Sequence, residues 1–165
     1  ADAPQAQQAI PALRRLNLIG KSLDLGGPTL DGGFISVADF KGSPVLVVFW
    51  SSQAAPFVEQ AASIIATTEK YEAQGLQVIG VNLDMDESAI DAFLEKSNMG
   101  WRTVFHTAPE RRGWNHPVAV HYGVTTIPQI WLVDAEGKAV TTSIAPKDLD
   151  ATLAKLLPPS KAAAN

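Results

Sequence analysis

Val45-Leu-Val-Val-Phe-Trp50 is an unbroken apolar run with β-branched side chains at three of its six positions. A strand wetted on one face alternates apolar and polar residues. A run without alternation predicts an inner strand covered on both faces. The chain then turns small and polar through Ser51-Ser52-Gln53-Ala54-Ala55. Pro56 opens a helical pattern carried by Phe57, Val58, Ala61, Ala62, Ile64 and Ile65 and ending before Gly75. A buried strand feeding a tight turn and then a helix is the unit from which layered α/β sheets are built.

The flanking sequence extends this unit. Residues 1–16, rich in Ala and Gln and closing on Arg14 and Arg15, read as a linker or short helix. Turn signals at Gly26-Gly27-Pro28 and Asp31-Gly32-Gly33 predict a small hairpin, and residues 37–42 a loop or single helical turn. Leu76–Asn82 is a second buried strand. Asp86–Lys96 is a helix with Asp86 or Ser88 as N-cap, and Thr103–Phe105 is a short strand. A polar loop over residues 107–116 leads to a helical turn at Pro117–Tyr122, stopped by Gly123. Gln129–Val133 and Ala139–Thr142 flank the turn Asp134-Ala-Glu-Gly137, and Pro146–Leu157 closes as an amphipathic helix before Pro158-Pro159. The expected architecture is one α/β domain over 17–157, with a mixed central β-sheet, helices on both faces and a tail at 158–165.

Several chemistries are excluded. The 165 residues contain no cysteine, so there is no disulfide, thiol nucleophile or zinc-thiolate centre. A net charge of −4 argues against a nucleic-acid binder. No apolar run approaches the ~20 residues that span a bilayer, so no membrane insertion of this chain is expected. The chain opens at Ala1 without an initiator Met, which is compatible with a processed or excised form.

Three phrases carry a resemblance to the thioredoxin-like superfamily, in its redoxin or TlpA/ResA-like (AhpC-TSA) branch of thiol-disulfide oxidoreductases. Asp39-Phe-Lys-Gly-Ser-Pro-Val-Leu-Val-Val-Phe-Trp50 resembles the branch's lead-in to its active-site turn. Gly80-Val-Asn-Leu-Asp84 is similar to its second core strand. Tyr122-Gly-Val-Thr-Thr-Ile-Pro-Gln-Ile-Trp-Leu-Val-Asp134, followed by Gly137-Lys138, resembles its proline loop and next strand. The resemblance implies a thioredoxin-like fold with helices on both faces of the sheet and a cis peptide at Ile127–Pro128. It sets Gln53 where the family has Trp, and Ala54 and Phe57 where it has the two cysteines. It also implies a groove for an extended protein or peptide partner, lined by Gln53, Ala54, Ala55, Pro56, Phe57, Ile127 and Pro128, with Phe57 partly packed beside it. An extracytoplasmic setting is the usual one for this branch.

Other candidates are weaker. His106, His116 and His121 have no metal-ligand spacing, and Asp84-Met-Asp-Glu87 lacks the spacing and central glycine of a calcium loop. Surface or satisfied histidines and a solvated acidic loop at a helix start are the better readings, and neither metal nor cofactor is expected. Ser51 and Ser52 lack a neighbouring base. Trp131 reads as core, whereas Trp114, in a polar loop beside Arg111 and Arg112, is a candidate contact residue. The leading function is a redox-inactive module that binds a protein or peptide partner in the vestigial groove. The alternatives are a family enzyme working with a partner-supplied thiol, or a structural domain of a larger envelope protein.

Overall fold

The computed structural model describes residues 3–157. Helix α1 (Ala3–Leu16) leads into a hairpin of β1 (Gly26–Pro28) and β2 (Phe34–Ser36). A 3-10 turn at Val37–Phe40 follows, and then the core begins. Its elements are β3 (Val45–Trp50), α2 (Ala55–Val58), α3 (Ala61–Glu72), β4 (Gln77–Asn82), α4 (Glu87–Ser97), β5 (Arg102–Val104), α5 (Pro117–Tyr122), β6 (Gln129–Val133), β7 (Ala139–Thr141) and α6 (Leu149–Leu156).

The central sheet runs β5-β4-β3-β6-β7. β3 pairs parallel with β4 and antiparallel with β6, so the sheet is mixed as expected. All six residues of β3 are buried because both faces are covered. Leu46, Val48 and Trp50 face a core completed by α2, α3, α4 and α6. Val45, Val47 and Phe49 face the opposite core, with Leu25 and Ile35 from the hairpin region and Ala119 and Tyr122 from α5. Both sheet edges are screened. Bridges from Ile19 and Ser22 cover β7, and a bridge from Thr29 covers β5.

The helix expected over 57–74 is two. Gln60 N–H bonds the Phe57 carbonyl, a 3-10 contact, while the Gln60 side chain donates to the Pro56 carbonyl at 2.6 Å. The side chain takes the acceptor that a continuous helix would offer to the backbone, and the chain turns at Glu59–Gln60. Residues 107–116 contain two 3-10 turns, at Pro109–Arg111 and Gly113–Asn115. The tail expected over 158–165 lies outside the described residues.

The linker or short helix expected over residues 1–16 is, in its described part, the docked helix α1. Arg15 donates to the Tyr122 and Gly123 carbonyls at 3.0 and 2.6 Å, and Arg14 to the His121 carbonyl at 3.3 Å. These are the free carbonyls at the C-terminus of α5, where cations are favoured. Gly123 takes φ +62° to end α5, and a Cβ there would come within 2.9 Å of the Ala12 nitrogen. The close approach of α1 therefore needs glycine at that point.

Candidate functional site

The carboxyl ends of the parallel strands β3 and β4 open into a cleft of about 620 Å³. Ligand sites of open α/β sheets gather at such ends. The floor is tied by Asp84, which lies two residues past the end of β4. Its carboxylate accepts from Ser51 Oγ at 2.5 Å, from Ser52 N–H at 3.0 Å and from Asn82 Nδ2 at 2.7 Å. The Asp84 N–H in turn donates to Asn82 Oδ1 at 2.8 Å. Asp84 is 2% exposed, so the solvated-loop reading is corrected for this residue: it locks two strand ends together. Charge-assisted bonds from three donors offset the cost of burying the carboxylate. Ser51 is likewise buried and donates to Asp84, which leaves no free base beside it. Asp86 does cap α4, accepting from Ser88 N–H at 3.0 Å.

Of the seven groove residues read from the sequence, Gln53, Ala54 and Ile127 line the cleft. Ala55 and Pro56 are exposed but form no wall, and Pro128 is half-buried beside Ile127. The Ile127–Pro128 peptide is cis, as the resemblance implied. Phe57 is the correction: it is 0% exposed and does not face the cleft. Its ring packs 5.5 Å from Trp50, 5.8 Å from Phe93 and 6.4 Å from Trp101, centroid to centroid. At the first turn of α2 its side chain points into the sheet-side core, where a large ring buries more apolar area than any polar replacement.

The other walls are Leu83, Met85 and Asp86 from the loop after β4, Ala89 from the first turn of α4, and Gly113 and Trp114 from the 3-10 turn at Gly113–Asn115. Trp114, the candidate contact residue, is 53% exposed at the rim. Arg112 holds its loop in place. The guanidinium donates to the carbonyls of His106, Thr107 and Met85 at 2.9, 2.8 and 3.2 Å and lies over the Phe105 ring. Gly113 has φ +58°, and a Cβ would meet Met85 Sδ at 2.7 Å. Glycine takes this left-handed backbone without strain and leaves room for the Met85 side chain as the Trp114 loop closes against the loop after β4.

His116 sits behind this loop, fully buried. Its Nδ1 accepts from Val118 N–H at 3.2 Å and so caps α5. That bond puts the proton on Nε2, which has no partner among the described residues. Burial, with His106 and Arg111 nearby, pushes its pKa down to about 3. The His106 ring lies 4.9 Å away, and burial and Arg111 lower its pKa also. Metal binding at His116 Nε2 would require the proton to move to Nδ1 and break the cap. Among the described residues no group of three or more His, Asp or Glu gathers as a metal site, and no helix is long and apolar enough to cross a membrane. His121 is exposed, Trp131 is core, and Trp101 is buried with its Nε1 donating to Thr68.

The AhpC/TSA family model matches residues 19–141, from the segment screening β7 through β7 itself. The chain belongs to the AhpC/TSA family. Among relatives of similar sequence, the thiol-disulfide oxidoreductase ResA of Bacillus thuringiensis subsp. konkukian is 26% identical over 111 residues, covering 67% of this chain and 60% of ResA. Chloroplastic peroxiredoxin Q of Gentiana triflora is 30% identical over 109 residues, covering 65% of this chain and 49% of the relative. The chain thus matches between half and three-fifths of the length of these two relatives. The thioredoxin domain of a Bacteroides vulgatus thiol-disulfide oxidoreductase superposes with a TM-score of 0.71 at 27% identity, over 83% of this chain and 95% of that domain. A thiol:disulfide interchange protein from Bacteroides sp. gives 0.69 at 26% identity, over 85% and 91%. The fold is thioredoxin-like, and this AhpC/TSA chain carries it without a cysteine.

Proposed function

We propose that this chain is a redox-inactive member of its family that holds an extended segment of a protein partner in the cleft. The observation that carries the reading is the state of the two positions where the resemblance expects thiols. Ala54 is an apolar wall of an open cleft, and Phe57 is sealed in the core beneath. Neither side chain can ionise or exchange a disulfide. What remains is a concave apolar surface with two large exposed side chains, Met85 and Trp114, at its rim. Aromatic and Met side chains of this kind serve contact with peptides. The cleft walls hold the carboxylates of Asp84 and Asp86 and no cation, which favours a neutral or basic segment over an acidic one.

The test is a panel of unstructured peptides of differing charge, read by fluorescence anisotropy with purified chain. Neutral or basic apolar peptides should bind. Ala54→Arg, which fills the cleft, and Trp114→Ala should each weaken binding by about tenfold or more. Binding that survives Ala54→Arg would put the contact elsewhere. The same preparation should reduce insulin with dithiothreitol no faster than the blank, and turnover above that level would sink the redox-inactive reading.

A further inference from the structure

Helix α1 is amphipathic the wrong way round. Among its described side chains Pro11, Ala12 and Arg15 are the half-buried ones, and Arg15 holds α5 through backbone carbonyls. Ile10, Leu13 and Leu16 are each more than half exposed. Ten large apolar side chains stand exposed among the described residues. Five of them are Ile10, Leu13, Leu16, Ile19 and Val120, all on α1, the turn after it, or α5. A helix that attaches by small and polar residues while presenting its aliphatic stripe outward has a second surface to cover.

That surface is concave. Between α1 and α5 lies a groove of about 430 Å³ with Ile10, Leu13, Leu18 and Tyr122 as apolar walls and Arg14 and Lys21 among its polar ones. From Ala3 to Leu23 the sequence has three cations, Arg14, Arg15 and Lys21, and no acid, in a chain whose net charge is −4. An apolar groove whose walls include Arg14 and Lys21 and no carboxylate, with Asp24 near the Tyr122 end, is complementary to an apolar face edged by carboxylates. A second copy of α1 would bring the same cations against these. A flat bilayer would leave the concavity unfilled.

We propose that the groove between α1 and α5 docks an acidic amphipathic helix belonging to a partner protein. Aliphatic side chains of that helix seat between Ile10, Leu13 and Tyr122, and its carboxylates meet Lys21 and Arg14. The site is separate from the cleft and shares none of its lining residues.

Two labelled amphipathic peptides of Leu with Glu and of Leu with Lys, about four turns long (~15 residues), serve as probes of the whole chain. The Leu/Glu peptide should bind and the Leu/Lys peptide should not. Leu13→Glu and Lys21→Glu should each weaken binding about tenfold or more. Both positions are exposed, so circular dichroism should show the fold retained. Ala54→Arg should leave this binding unchanged even if it abolishes peptide capture in the cleft, which separates the two proposals. Failure of the Leu/Glu peptide to bind, equal binding of both peptides, or indifference to Leu13→Glu would overturn the proposal. So would self-association in sedimentation that Leu13→Glu abolishes, which would assign the face to a second copy. Loss of sedimentation with phosphatidylglycerol vesicles in that variant would assign it to a membrane surface and overturn it equally.

Discussion

The cleft at the ends of β3 and β4 and the groove between α1 and α5 are both apolar hollows with large exposed side chains, but they are built in opposite ways. The cleft stands on the core. Phe57 and Trp50 are fully buried beneath it, and Asp84 bolts its floor with buried hydrogen bonds. The groove is laid onto the outside, with α1 held by Arg14 and Arg15 on the last carbonyls of α5. Their charges are opposite as well, carboxylates without cations in one and cations without carboxylates in the other. The contrast teaches that a site's shape says little about how much of the fold depends on it. The cleft cannot be altered at depth without cost to stability, whereas the groove can.

Phe57→Ala should show this most strongly. It empties a fully buried ring site, and stability should fall by about 3–5 kcal/mol in a denaturant titration. A loss under about 1 kcal/mol would mean that the cleft does not rest on this ring. Asp84→Ala comes next. It strands the Ser51 hydroxyl, the Ser52 N–H and the Asn82 amide, so a loss of about 3 kcal/mol is expected. Unchanged stability would show that the strand ends need no bolt.

The joint between the two regions is His116, which caps α5 on one side and follows the Trp114 loop on the other. Its pKa in the fold is about 3, against 6.5 for the free side chain. The unfolded chain therefore takes up a proton below 6.5 that the folded chain refuses. Stability is at its full value above pH 6.5 and is lost as the pH falls toward 3, by about 2 kcal/mol between 6.5 and 5. His116→Asn, which retains a capping oxygen and removes the titration, should flatten that slope. An equal slope in the variant would place the acid sensitivity elsewhere.

The smallest effect is expected on the groove side. Leu13→Ala removes an exposed side chain and should change stability by no more than about 0.5 kcal/mol. A larger loss would show that α1 contributes to the core, and the contrast between the regions would fail.

The sequence by itself determined the sheet and its order of elements. Val45–Trp50 has no polar position and reads as an inner strand, and the turn residues at Asp31–Gly33, Gly123 and Asp134–Gly137 marked where elements stop, whereas Gly26-Gly27-Pro28, read as a turn signal, is strand β1 itself. It also settled that no thiol chemistry resides in this chain. Gln53, Ala54 and Ile127, which line the cleft, entered the reading only through the family resemblance, since nothing in their local pattern marks a wall. Tertiary structure alone decided the rest. Phe57 is an apolar residue in a first helical turn, and sequence spacing does not say whether such a ring faces a groove or the core. The space between Trp50, Phe93 and Trp101, drawn from three separate segments, decided it. Asp84 sits in an acidic run that looks solvated, and only the pairing of β3 with β4 brings Ser51 and Ser52 to its carboxylate. Local pattern records which face a residue takes within its own element. Which segment covers that face depends on contacts between residues far apart in the chain, and those exist only once the sheet has closed.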